Sequence, residues 1–224
     1  DLTALVEIYN LDGTRVYQHE TKVTAAPDVA TDLDALDFPA NLSAVHFIKL
    51  ELRDKDNKLV SSNFYWRAQP DQPAAKPAGQ LELRLPGQYD DLTALNQLPM
   101  VTLTAQVKRA DANGQRTLTV TVHNPSPNIA LMAHLQLRRK SGERVLPVFY
   151  SDNYISLAPN ETKTITVEAA VSDFNGEDAL VVFDGWNVTV APASFSGAAV
   201  APNLDAQPDH SPASGLLYQT AGLR

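Results

Sequence analysis

The sequence of 224 residues contains no cysteine. This absence excludes disulfide bonds, thiolate nucleophiles and cysteine-based zinc sites. Histidine is also scarce, and no metal-ligand spacing is found among its five positions, which are His19, His46, His123, His134 and His210. The sequence therefore predicts no metal site and no cofactor.

Acidic residues outnumber basic residues in this sequence. The chain has 18 Lys and Arg against 26 Asp and Glu, a net charge of -8. A protein that neutralises phosphates needs clustered positive charge, so nucleic acid is excluded as a partner. No apolar run approaches the ~18 residues of a membrane helix, and we expect no signal peptide within these residues. We expect no membrane insertion. The compartment stays open. Export to the periplasm or the exterior is slightly favoured, and an exported parent could have lost its signal far upstream.

No catalytic motif is present in the chain. A Gly-x-Ser-x-Gly elbow and a phosphate-binding glycine loop are both missing. Asn160-Glu161 matches the Asn-Glu pair that carries the acid in many glycosidases, and such chemistry needs two carboxyl groups. This pair lies in a predicted loop, however, and no motif places a second carboxylate. The sequence predicts a turn there and no catalytic residue.

The first 66 residues consist mainly of short segments in which apolar and polar residues alternate, separated by turn residues. This pattern is typical of β-strands. A hairpin is predicted at Asp12-Gly13, followed by strands over 46–52 and 59–66. Only four or five strands fit before residue 66, and a sandwich needs about seven. We expect an incomplete domain over 1–66 whose opening strands lie upstream, with the edge of the first strand paired to residues outside this chain.

A proline-rich linker is predicted over 67–98, because its prolines cannot continue a sheet. Near its end, Leu92, Leu95 and Leu98 recur at helical spacing, after Asp90 or Asp91 as the cap. The linker is therefore expected to contain one short helix.

A second β-domain is predicted over 99–192, with hairpin turns at Asn113-Gly114 and Ser141-Gly142. About seven strands in about 90 residues is the immunoglobulin-like pattern, with strands over 101–107, 118–123, 131–137, 145–150, 164–169, 180–183 and 188–190. Residues 193–224 predict an irregular tail. The predicted fold class is all-β: two immunoglobulin-like sandwiches, the first N-terminally incomplete, joined by the linker.

Two predicted turns of the second domain combine aromatic rings with amide or carboxylate groups, as carbohydrate sites do. The candidate ligand-binding residues are Tyr150, Asp152, Asn153, Tyr154 and Trp186. The alternative is that these rings fill the sandwich core while Asp and Asn cap turns. Both interpretations remain open at the level of sequence.

Three strings, in order, resemble the C-terminal domains of exo-β-glucosaminidases and related β-mannosidases of glycoside hydrolase family 2. Tyr9–Thr14 and Ser61–Trp66 are similar to the sandwich behind the catalytic barrel of those enzymes. Tyr89–Pro99 resembles their linker helix, and Pro147–Glu161 their final immunoglobulin-like domain. The resemblance implies a parent enzyme whose catalytic carboxylates lie on a (β/α)8 barrel.

None of those carboxylates falls in this chain, so the resemblance implies a non-catalytic part of a retaining β-glycosidase. It would brace the barrel and shape its sugar cleft. Its partner would be the upstream part of the same enzyme, as one polypeptide or as another chain, and it would meet the carbohydrate substrate indirectly. The alternative is a freestanding carbohydrate-binding or adhesion module, whose first domain would have to be closed.

Overall fold

A computed structural model describes residues 2–33, 35–68, 91–189 and 191–195 of the chain. Asp90, Val190, most of the predicted linker and most of the predicted tail lie outside the described residues. The described part is built of β-strands and two short 3-10 helices, as the alternating sequence predicts. No helix in these ranges is both long and apolar enough to cross a membrane.

The first domain is a single antiparallel sheet with the strand order β2-β1-β3-β4. Its strands are β1 (Leu2–Asn10), β2 (Arg15–Val23), β3 (Val45–Asp54) and β4 (Leu59–Ala68). The predicted hairpin is confirmed, because Gly13 takes a φ of 84° in the turn between β1 and β2. The prediction for the edge of β1 is wrong: β1 pairs with β2 on one side and β3 on the other, so the edges are β2 and β4.

The second domain is a sandwich of two sheets, as predicted. One sheet has the order β13-β5-β6-β10-β8 and the other β12-β11-β7-β9. The strands are β5 (Thr104–Ala112), β6 (Gln115–His123), β7 (Ala130–Arg139), β8 (Phe149–Tyr150), β9 (Ile155–Leu157), β10 (Thr162–Ala170), β11 (Ala179–Asp184), β12 (Ala191–Pro192) and β13 (Ser194–Phe195). Their inward-facing aliphatic and phenylalanine side chains form one buried core between the sheets.

The predicted turns of the second domain are confirmed, but three predicted strands begin later or are shorter. The strand predicted over 101–107 begins at Thr104, and the strand predicted over 188–190 is reduced in the described residues to a bridge between Val188 and Val101. Asn113-Gly114 joins β5 to β6 with positive φ at both residues, as a two-residue hairpin turn requires. Gly142 lies in the turn after β7, with a φ of 95°. The strand predicted over 145–150 is reduced to β8, because Pro147 has no N–H to donate to a sheet.

The predicted short helix is a 3-10 helix over Thr93–Gln97. Asp91 Oδ1 accepts a hydrogen bond from the Thr93 N–H at 2.9 Å. Leu95 and Leu98 are buried, and they enter a second core that joins the two domains. This junction core combines Val45 and Phe47 of the first sheet with residues of the second domain, among them Ile129, Leu131 and Ala158. The two domains therefore share apolar packing, which stabilises their relative position.

The two domains also meet where the backbone at Gly13 lies close to the backbone at Pro127. A Cβ atom added to Gly13 would lie 2.3 Å from the Pro127 carbonyl oxygen of the second domain. Only glycine allows the β1–β2 turn to approach the second domain this closely with its positive φ.

A buried ion cluster completes the junction. Lys49 Nζ lies 2.9 Å from Glu51 Oε1 in its own strand and 2.9 Å from Glu161 Oε1 of the second domain. Arg15 pairs with Glu7 at 2.6 Å and Arg53 with Glu51 at 2.6 Å. Three cations therefore meet three carboxylates, and the side chains of Lys49, Glu7, Glu51 and Glu161 are at most 19% exposed.

The pKa values of the cluster follow from this pairing. Burial alone would lower the pKa of Lys49, but the carboxylates of Glu161 and Glu51 raise it above its ordinary value. Burial would likewise raise the pKa of Glu51, but its hydrogen bond with Lys49 lowers it. Burial and the adjacent Glu7 carboxylate raise the pKa of Tyr9, whose hydroxyl donates to Glu7 Oε2 at 3.0 Å. Lys49 and Glu51 are thus both held in their charged forms near neutral pH.

Replacing Gly13 by alanine should lower the free energy of unfolding by about 2–4 kcal/mol, because the methyl group collides with the Pro127 carbonyl and the φ is strained. Gly114→Ala is the matched control. It has a φ of 75° but no atom within 4 Å of the added Cβ, so it should cost only about 1 kcal/mol. Urea unfolding of both variants measures the difference; equal losses would contradict the close approach.

Replacing Lys49 by methionine should lower the free energy of unfolding by about 3 kcal/mol at pH 7, because buried carboxylates lose their shared cation. Glu161→Gln should cost less in the Lys49→Met background than alone. Lys55→Met removes an ion pair whose lysine is 75% exposed, and should be nearly neutral.

The effect of Lys49→Met should also depend on pH. Because the folded pKa of Glu51 is lowered from 4.5, its contribution is full above that value and is lost as the pH falls through the folded pKa. Because the folded pKa of Lys49 is raised from 10.5, its contribution is full below that value and is lost as the pH rises through the folded pKa. Denaturant curves at several pH values should show the largest difference between variant and parent from about pH 5 to 10. A difference that stays constant in acid would contradict this cluster.

Candidate functional site

Three half-exposed aromatic rings gather where the two domains meet. Trp66 of β4 is 38% exposed, Tyr154 is 58% exposed and Trp186 is 53% exposed. With Met132 they form what we call the aromatic face. Each pair of rings borders one hollow in the surface: Trp66 with Trp186, Tyr154 with Trp186, and Trp66 with Tyr154. Exposed apolar side chains that lie together in this way often mark an interaction site, whereas single exposed apolar residues are common on any protein surface.

A β-bulge places Met132 at the centre of the face. The register between β7 and β9 shifts between Ala130 and Ala133, and Met132 itself takes a φ of 52°. Gly185 packs directly against this bulge, since an added Cβ would lie 2.9 Å from the Met132 carbonyl oxygen. Met132 consequently lines two of the hollows that border Trp186.

Hydrogen bonds hold Trp186 at the junction. Its backbone N–H donates to the Leu131 carbonyl at 3.1 Å. Its indole Nε1–H donates to the Leu95 carbonyl of the 3-10 helix at 3.0 Å. The ring is therefore fixed by its polar edge while more than half of its surface remains open.

Tyr154 is held by stacking. Its ring lies parallel to His134, with centroids 4.4 Å apart and planes 5° apart. His134 Nδ1 is 2.8 Å from Asp184 Oδ1, and Gln136 Nε2 donates to Asp184 Oδ2 at 2.5 Å. The backbone of Tyr154 has a φ of 53°, an uncommon conformation for a non-glycine residue. Strand side chains thus set the orientation of an exposed ring.

The five candidate residues from the sequence divide into two groups. Tyr154 and Trp186 lie on the aromatic face, and Asp152 borders the hollow between Trp66 and Tyr154, where it pairs with Lys163 at 2.6 Å. The other two are bonded to the backbone of β7. Asn153 exchanges hydrogen bonds with Leu135 N–H and C=O, and the Tyr150 hydroxyl accepts from the Leu137 N–H at 3.0 Å. Burial raises the pKa of Tyr150.

Trp66, Met132 and His134 belong to the site although their sequence context does not predict it. Trp66 alternates in β4 like a core residue, and His134 lies within the strand predicted over 131–137. No local signal predicts that a bulge and a domain junction bring them together. A weak signal existed only for Asp184, which belongs to the turn Asp184-Gly185-Trp186.

The Glu161 side chain makes contacts that stabilise a turn and the domain junction. The predicted turn is confirmed: Asn160 has a φ of 61°, and Glu161 Oε2 accepts from the Ala158 N–H at 2.8 Å. Its other oxygen binds Lys49 at the domain junction. Across the described ranges, no group of three His, Asp or Glu side chains is arranged to hold a metal ion.

Comparison with known families divides the chain at the same junction. Residues 84–188 match the exo-β-D-glucosaminidase Ig-fold domain, and residues 1–70 match the mannosidase Ig/CBM-like domain. An exo-β-D-glucosaminidase of Amycolatopsis orientalis is 31% identical over 213 residues, which are 92% of this chain and 21% of that protein. One from Streptomyces avermitilis is 33% identical over 193 residues, 83% of this chain and 21% of its own length.

Solved structures agree with the sequence relatives. The complex of an Amycolatopsis orientalis exo-chitosanase with PNP-β-D-glucosamine superposes with a TM-score of 0.67 at 30% identity, covering 85% of this chain and 23% of that one. The chain spans about a fifth of the length of the relatives that it matches. These relatives are larger single-chain enzymes, of which the matched region is the C-terminal part. The chain belongs to the C-terminal immunoglobulin-like domains of glycoside hydrolase family 2.

Proposed function

We propose that this chain is the non-catalytic C-terminal part of a retaining β-glycosidase that removes terminal β-linked glucosamine or mannose, and that it braces the catalytic barrel. The observation that carries the proposal is the outer face of the first sheet, whose two central strands are apolar and only partly covered. Its sequence relatives are named exo-β-D-glucosaminidases, which supports glucosamine as the sugar.

The outer face follows from strand alternation. Leu2, Val6, Leu50 and Leu52 point away from the second domain and remain partly exposed, while Tyr65 on the edge strand is 47% exposed. The opposite face of the same sheet is buried against the second domain through the junction core. A sheet with two apolar faces needs cover on both. We propose that the upstream part of the same enzyme covers the outer face, in the same polypeptide or as another chain.

The ion cluster and the junction core support a bracing role, because they hold the two domains as one unit. A freestanding carbohydrate-binding or adhesion module is the alternative function. It is disfavoured because such a module would have closed its first domain with a second sheet. The predicted division into 1–66, a linker over 67–98, 99–192 and a tail over 193–224 belongs to the same proposal.

The aromatic face supplies the second element of the proposal. Rings that are held rigidly yet exposed are suited to contact another surface or a sugar. We place the face against the barrel or at the edge of its sugar cleft, so that Tyr154 and Trp186 shape the cleft while the catalytic carboxylates lie elsewhere in the enzyme.

The pure chain should not hydrolyse aryl β-glucosaminides or β-mannosides, and it should associate with the upstream part of its parent enzyme when the two are co-expressed. Leu50→Asp should weaken that association at least ~10-fold, because a buried unpaired charge costs more than about 1.4 kcal/mol. Lys55→Asp, at an exposed hairpin tip, is the control. Affinity measurements check this, and unchanged association of the Leu50 variant would contradict the proposed cover.

Tyr154→Ala and Trp186→Ala should each raise the KM of the assembled enzyme by about 2- to 10-fold with little change in kcat, as expected for lost ground-state contacts. Phe149→Ala is the control, since Phe149 is 70% exposed and lies outside the aromatic face. Steady-state kinetics and melting temperatures separate the outcomes. A drop in melting temperature with unchanged KM would make these residues structural.

A further inference from the structure

The hollow between Tyr154 and Trp186 has the chemistry of a ligand site. It has a volume of about 400 Å³, and Met132, Gly185 and Val188 form its apolar part. Asp184 and His134 complete the lining. We call this hollow the Tyr154–Trp186 cleft. Apolar walls with a few convergent polar groups are typical of small-molecule sites.

The walls of the cleft are two exposed rings in fixed positions. The Tyr154 ring is stacked on His134, and the indole N–H of Trp186 is bonded to the Leu95 carbonyl. Because both rings are held before any ligand arrives, little side-chain freedom is lost on binding. The faces of tyrosine and tryptophan rings pack against the C–H faces of sugars and attract cations through the ring quadrupole.

The charge of the cleft favours a cation. Asp184 is the one carboxylate among the described lining residues, and neither lysine nor arginine is among them. The Asp184 side chain is 26% exposed. His134 and Gln136 bind one oxygen each and hold the carboxylate in place, and each oxygen can accept a further hydrogen bond. The net charge of -8 adds a long-range attraction for positive ligands.

We propose that the Tyr154–Trp186 cleft binds a saccharide unit that carries a protonated amine, with the sugar ring against the aromatic walls and the ammonium group on Asp184. A neutral hexose would gain only the stacking, and an N-acetylated unit would lose the charge-assisted hydrogen bond. The assignment rests on the proposed function in one respect, since the parent enzyme would bring amino sugars to this surface.

The test is a binding titration of the 224-residue chain with a soluble trimer of β-linked glucosamine, followed by isothermal calorimetry and by tryptophan fluorescence. The fully N-acetylated trimer and a mannose trimer are the comparison ligands. We expect the glucosamine trimer to bind at least ~5-fold more tightly than either, and its affinity to fall as salt is added, because a charge pair is screened.

Two variants separate the contribution of the Asp184 charge from that of stacking on the Trp186 ring. Asp184→Asn should abolish the preference for the free amine while leaving residual stacking, and Trp186→Phe should weaken all three ligands together. Phe149→Ala should change nothing, since its exposed ring lies outside the cleft. Circular dichroism of each variant monitors the fold.

Equal binding of the glucosamine and N-acetylated trimers, or a preference that survives Asp184→Asn, would overturn the assignment, as would the absence of binding at millimolar ligand. These results are distinguishable from a failure of the proposed function. Association with the upstream part of the enzyme is tested by Leu50→Asp on the outer face of the first sheet, which shares no residue with the cleft.

Discussion

A sheet of four strands has two faces, and the first domain contributes apolar side chains to both of them. The inner face is covered by the second domain through the junction core, where Phe47 is fully buried. Every other feature of the junction depends on that contact. It brings the Gly13 turn onto Pro127, and it encloses Lys49 among carboxylates of both domains, where the ions are paired instead of hydrated.

The same contact creates the aromatic face. Trp66 belongs to the last strand of the first sheet, while Tyr154 and Trp186 belong to turns of the second domain. The two hollows that Trp66 borders exist only because the two domains are held in one position. Apolar packing, which is not directional, holds the domains together, and the ion pairs and the close backbone approach fix their orientation. Stability and the part of the candidate site that contains Trp66 therefore depend on one junction.

In the enzyme that we propose, this arrangement separates support from chemistry. Glu161 illustrates the separation, because a glutamate in a catalytic-looking Asn-Glu pair serves here to bind Lys49 across the junction. In the proposed enzyme, the outer face of the first sheet meets the upstream part, and the aromatic face borders the path of the sugar. The Tyr154–Trp186 cleft would then add recognition of a positive charge to a domain without catalytic groups.

The sequence by itself determined the strand class, the hairpins at Asp12-Gly13 and Asn113-Gly114, the short helix near Leu95 and the turn at Glu161, because alternation, positive φ and turn chemistry are local properties. The tertiary structure decided the rest. Pro147 shortened a strand whose apolar pattern looked continuous, and β1 proved to be an interior strand because pairing partners are chosen across the chain. Trp66 and His134 joined the site only through a bulge at Met132 and a domain contact. Such contacts join residues far apart in sequence, and neither spacing nor composition encodes which distant surfaces will pack.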